Sequence, residues 1–118
     1  MAFVQQNRFG KITVTDNVIA TIAGCAALEC YGLVGMASQK LQDGIAELLG
    51  MEALRKGINV HSTGSRVEID VYIVVGYGPK ISQVALNAME KIRYAVEQGA
   101  GIKVDKVNII VQGVKVMD

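Results

Sequence analysis

Apolar positions alternate with other residues between Val67 and Val75. Val67, Ile69, Val71, Ile73 and Val75 fall on one side, and Glu68, Asp70, Tyr72 and Val74 on the other. A β-branched run of period two predicts a long strand with one buried face. The pattern breaks at Gly76-Tyr77-Gly78-Pro79 and resumes at helical spacing. There Ile81, Ala85, Ala88, Met89, Ile92 and Val96 form one stripe, and Pro79 is predicted as the first helical residue. Gly99-Ala100-Gly101 ends this helix, because glycine takes positive φ at little cost. Lys103–Val116 follows as a closing strand. It has Val107, Ile109 and Val111 on one face and Gly113 at a bulge.

The earlier half of the chain reads less sharply. Residues 1–9 form a loosely held lead-in, and Lys11–Val14 a short strand. Thr15 or Asp16 supplies a cap for a helix reaching about Cys30, with Ile19, Ile22, Ala23, Ala26 and Cys30 on one stripe. Only Asp16 and Glu29 are ionisable there, so this helix is expected to be buried widely, between layers or against a partner. Tyr31–Gly35 leaves it in extended form. A second helix is predicted at about Gln39–Leu49, with Leu41, Ile45 and Leu48 inward, and its pattern resumes through Leu54. Ile58–Ser62 is a strand, turned by Thr63-Gly64-Ser65 into an antiparallel hairpin with Val67–Val75. The order β-α-α-β-β-α-β predicts an α+β two-layer sandwich, a mostly antiparallel sheet with helices mainly on one face.

Size and charge narrow the functional classes. The chain has 118 residues, enough for one domain, 1–118, that folds without metal or disulfide support. Twelve basic residues nearly balance eleven acidic ones, and no Lys/Arg run appears. That balance weakens nucleic-acid and anionic-lipid readings. The absence of tryptophan and the low aromatic content argue against a base-stacking surface. Val18–Leu28 is too short to span a membrane, and the N-terminus lacks the basic start and apolar run of a signal peptide. A cytoplasmic location is expected.

Candidate chemistry is sparse. Cys25 and Cys30 read as two small buried residues pointing to different faces, not as a disulfide or metal pair. With one histidine, His61, no zinc site is expected, and no cofactor. No nucleophile, base and orienting group fall together as a catalytic set would require. His61 reads as a solvated edge residue, and Glu68 and Asp70 as an ordinary charged outer face. The corner Gly76–Lys80 fits neither GxGxxG nor GxxxxGK[ST], so it reads as a turn. If it touches a ligand, Tyr77 and Lys80 are placed to do so. A small nucleic-acid-binding α+β domain is the rival reading that this loop keeps open. More suggestive is the outward face of the long strand, where Tyr72 and Val74 join Ile110 of the last strand. Either the lead-in or the first helix folds over this apolar patch, or it is a self-association or partner surface.

Together these segments resemble a known family. They are Gly10–Val14 with Val18–Ala23; Glu29-Cys30-Tyr31-Gly32-Leu33-Val34-Gly35-Met36; Val67–Gly78; and Gly101–Val104 with Val107–Val114. In that order and spacing, over roughly residues 8–116, the chain is similar to the alkaline shock proteins of Gram-positive bacteria, the Gls-type general stress proteins. The resemblance implies a cytoplasmic, non-enzymatic protein of cell-envelope homeostasis and stress. Longer members lie against the inner membrane face through a membrane-anchored partner and self-assemble. This chain resembles short members without charged terminal extensions, some of them encoded near a kinase of the dihydroxyacetone/fatty-acid type. The expected partners are therefore a second copy, a membrane-anchored protein or such a kinase. No catalytic residue is carried over.

Overall fold

The computed structural model describes residues 2–30, 32–36, 57–63, 66–78 and 80–116. Six strands and two helices lie among them. In chain order these are β1 (Ala2–Asn7), β2 (Gly10–Thr15), α1 (Asp16–Leu28), β3 (Leu33–Met36), β4 (Ile58–Thr63), β5 (Arg66–Gly76), α2 (Ile81–Ala100) and β6 (Lys106–Lys115). The α+β class holds. The helix expected at Gln39–Leu49, its continuation to Leu54, and Pro79 lie outside the described residues.

Strand β5 is the axis of the main sheet. β4 pairs with it antiparallel from Ile58↔Val71 to Thr63↔Arg66, which is the expected hairpin. β3 also pairs antiparallel, from Leu33↔Val75 to Met36↔Ile73. β6 pairs parallel along nearly the whole strand, from Glu68↔Lys106 to Gly76↔Lys115. Because β6 occupies one side throughout, β3 and β4 must lie end to end on the other. The Tyr72 amide between them donates to the Gly57 carbonyl at 2.9 Å. A parallel neighbour needs a long crossover, and α2 supplies it between β5 and β6.

The pleat explains the burial. Val67, Ile69, Val71, Ile73 and Val75 are all fully buried, against Ile19 and Ala23 of α1 and Ala88, Ile92 and Val96 of α2. Each such side chain contributes roughly 1.5–3 kcal/mol by leaving water. Small residues on α1 (Ala20, Ala23, Gly24, Ala26 and Ala27) are buried and let the helix approach closely. α2 ends on Gly101 at φ 71°, where its amide bonds the Glu97 carbonyl.

Several local expectations are corrected. Residues 1–9 are not merely a lead-in, since β1 and β2 form a two-stranded antiparallel hairpin with Asn7↔Gly10 at its tip. The Asn7 side chain accepts the Phe9 amide at 2.8 Å and so shapes the turn. Helix α2 starts at Ile81 behind Lys80, two residues later than expected. Its inward row is Val84, Ala88, Ile92 and Val96, while Ile81 is exposed at the first turn. Thr15 is the N-terminal boundary of α1 but makes no side-chain capping bond. β6 begins at Lys106 because Ile102 and Val104 are buried in the connection, with the Val104 amide held by Glu97 Oε2 at 3.0 Å. The bulge expected at Gly113 is present, as pairing passes from Val111 directly to Gly113.

Two substitutions test this core. Ile69→Ala should cost about 2–5 kcal/mol in denaturant unfolding, since it opens a cavity beside fully buried neighbours. Gly101→Ala meets nothing within 4 Å, so its expected cost, about 1–2 kcal/mol, comes from left-handed backbone alone.

Candidate interaction surface

The outward face of the sheet is built by the residues that alternate with the core. Glu68, Asp70, Tyr72 and Val74 of β5 are all half-buried on the side away from the helices. Register places Ile110 directly beside Tyr72, and Gly113 beside Val74. The three residues singled out from the sequence are thus brought together, half-buried and not fully exposed. Neither feature expected as a cover lies over them. α1 packs into the opposite face, and the hairpin is exposed at every residue from Val4 to Thr13.

The other half of this face is polar and more organised than the sequence suggested. Asn108 Nδ2 donates to Glu68 Oε2 at 2.9 Å and to Asp70 Oδ1 at 2.8 Å. His61 Nε2 lies 3.0 Å from Asp70 Oδ2. Glu68 and Asp70 therefore do have neighbours, and His61 is not simply solvated. The amide of Asn108 separates two carboxylates that would otherwise repel. Sequence reading could not find this group, because it depends on the parallel register of β6 against β5. No nucleophile completes it. Ser62 alternates to the inward side, where its hydroxyl donates to Asp16 Oδ1 at 3.1 Å.

At the corner, Tyr77 is 74% exposed and Lys80 is exposed at the start of α2. The Tyr77 amide donates to the Lys115 carbonyl at 2.9 Å, and the Gly76 amide to the Gly32 carbonyl at 2.9 Å. The amides of Gln83 and Val84 both turn to the Lys80 carbonyl. The corner is tied to the sheet ends through its backbone, and the two side chains point away from the apolar patch's centre of pairing at Tyr72↔Ile110 only in sequence, standing at the strand's far end.

The helix layer carries features that the sequence reading missed or misplaced. An apolar cleft of about 470 Å³ lies between α1 and α2, lined by Thr21, Ile22, Cys25, Ala26, Tyr94 and Ala95. The Lys91–Glu29 ion pair, 3.2 Å apart, borders it. Cys25 is exposed there, not buried, because it falls on the solvent side of α1. Cys30 is buried and its thiol donates to the Ala26 carbonyl at 3.5 Å. Both cysteines are free. Burial is the main influence on the Cys30 thiol and raises its pKa; Lys91 opposes this and Glu29 adds to it. The hairpin tip was also missed, although Asn7 and Gly10 flanking Arg8-Phe9 are the signal for it.

Among the described residues, no helix is long and apolar enough to cross a membrane, and no group of three or more His, Cys, Asp or Glu is placed to hold a metal ion. Residues 4–116 match the alkaline shock protein 23 family, described as having a cell envelope-related function. The chain belongs to this family. It is 46% identical to YloU of Bacillus subtilis over 98% of both chains. It is 42% identical to Spy1614 of Streptococcus pyogenes, over 92% of this chain and 90% of that one. A second Bacillus subtilis relative, YqhY, is 31% identical over 94% of this chain and 82% of its own length. The names of these relatives state no activity.

Two measurements check the surface chemistry. Native protein treated with iodoacetamide near neutral pH should be alkylated at Cys25 and protected at Cys30, with both reacting once it is unfolded. Asn108→Leu should lower stability by about 1 kcal/mol, because it leaves two carboxylates side by side without their shared donor.

Proposed function

We propose that this family member is a non-enzymatic interaction module of the Gram-positive cytoplasm. It serves cell-envelope homeostasis and stress by self-associating or by scaffolding other proteins. The observation that carries this reading is the pairing of Tyr72 with Ile110 on the sheet face opposite the helices, with Val74 beside them. A sheet face that is half apolar and not packed against α1 or α2 loses free energy to water, and covering it is favourable. Family membership supplies the envelope context. A membrane-anchored protein or a kinase of the dihydroxyacetone/fatty-acid type is the partner class that the family likeness favours beyond a second copy. Such a partner would hold the chain at the inner membrane face without any span of its own.

The near-balance of twelve basic and eleven acidic residues favours protein over nucleic acid as the thing bound. Tyr77 and Lys80 are then rim contacts at one end of the face, where a polar edge usually surrounds an apolar centre.

Static light scattering from low to high micromolar concentration should show a mass above that of the monomer. A Tyr72→Lys, Ile110→Lys double variant should remain monomeric with an unchanged far-ultraviolet dichroism spectrum. A wild-type protein that stays monomeric throughout would remove the self-association part of this reading.

A further inference from the structure

The β1–β2 hairpin has no evident work in its own molecule. Its root is anchored where Val14 packs against the core cluster. Beyond the root, Val4 is 50% exposed, Ile12 55% and Phe9 85%. Every residue from Val4 to Thr13 is exposed, so neither face of this ribbon rests on the body. A two-stranded hairpin in water is marginal by itself and gains stability when something covers it. The tip is organised for contact: the Asn7 side chain holds the Phe9 amide, and the Arg8 guanidinium carbon stands 4.8 Å from the Phe9 ring centroid.

The chemistry of the arm identifies what it fits. Residues 2–15 carry Arg8 and Lys11 and no acidic residue. The occupant of the outward sheet face must cover an apolar patch and meet a carboxylate pair next to it. Asp70 is the charge adjacent to Tyr72 along β5, with Glu68 one step further on the same face. Both are held in place by Asn108. The basic residues of this face lie towards its ends. Arg66 is paired with Asp105 at 3.3 Å, and Lys106 and Lys115 are the terminal residues of β6. An apolar, cationic ribbon matches an apolar, carboxylate-bordered patch.

Resting on the reading that the outward face is a self-association surface, we propose that the β1–β2 arm of one copy docks on that face of a second copy. Phe9 and Ile12 cover Tyr72, Val74 and Ile110, and Arg8 and Lys11 lie towards Glu68 and Asp70. Arm and face are different surfaces, so the contact is heterologous. It propagates into a ring or an open chain unless two copies exchange arms reciprocally. The ionic part makes assembly weaken as salt rises.

Analytical ultracentrifugation of four proteins tests this. They are the wild type, the face variant Tyr72→Lys/Ile110→Lys, an apolar arm variant Phe9→Ser/Ile12→Ser, and a charge arm variant Arg8→Glu/Lys11→Glu. The arm positions are exposed, so both arm variants should keep the wild-type unfolding midpoint. Each should weaken assembly by about tenfold or more. An equimolar mixture of the apolar arm variant and the face variant keeps one working arm and one working face. It should form a one-to-one heterodimer and nothing larger. Wild-type assembly that both arm variants retain in full would overturn the arm while leaving the self-associating face intact, as would a mixture that yields no heterodimer. A monomeric wild type would overturn the face and the arm together.

Discussion

Strand β5 has to be dry on one face and paired along both edges, and the remaining elements follow from that requirement. Its five inward aliphatics are fully buried, and no single helix covers a strand of this length. Two helices share the task, and the close approach of α1 depends on its buried Ala and Gly residues. Pairing is divided in a similar way. β6 runs the length of one edge, while the other edge is covered in two pieces, β3 and then β4. The chain leaves this edge after Met36 opposite Ile73 and is back at Gly57, whose carbonyl takes the Tyr72 amide. Both ends of that excursion therefore stand beside the residue at the centre of the apolar patch.

The outward face inherits its split character from the same strand. One end is polar because Glu68 and Asp70 alternate with the core, and Asn108 of β6 reconciles their charges. The other end is apolar because Tyr72, Val74 and Ile110 occupy the same pleat positions further along. Register is what makes these two halves coherent. A one-residue slip of β6 would exchange Asn108 for Val107 or Ile109, burying the amide and exposing an aliphatic. The carboxylate-amide group thus helps to fix the register that also sets Ile110 beside Tyr72.

Local periodicity made much of this legible. The long strand, its hairpin with β4, the crossover helix and the Gly101 stop all follow from patterns confined to neighbouring residues. The three patch residues could be named because they sit on the pleat opposite an unmistakable core row. What escaped was set by pairing over long separations. The His61–Asp70–Asn108–Glu68 group joins three strands, one of them parallel, and no short pattern encodes that alignment. Cys25 was misplaced because a helix rich in Ala and Cys has a weakly marked solvent side. The arm was misread since Val4, Phe9 and Ile12 do not point into this molecule's own core. A pattern reader looking for burial finds none there.

The free edges of the main sheet bear on how a chain like this can assemble without aggregating. An unpaired edge is a template for any other strand, and proteins blunt it with charge, bulges or short strands. β6 begins with Lys106 and ends with Lys115, and its run is interrupted where pairing skips from Val111 to Gly113. The opposite edge is broken into β3 and β4, short strands of four and six residues. Extension of the sheet by a passing strand is therefore discouraged on both sides. The outward face has no comparable protection, since its apolar end lies between polar ends that would border a contact. Association is thus directed away from the edges and onto the face, where side chains and not backbone decide which partner fits.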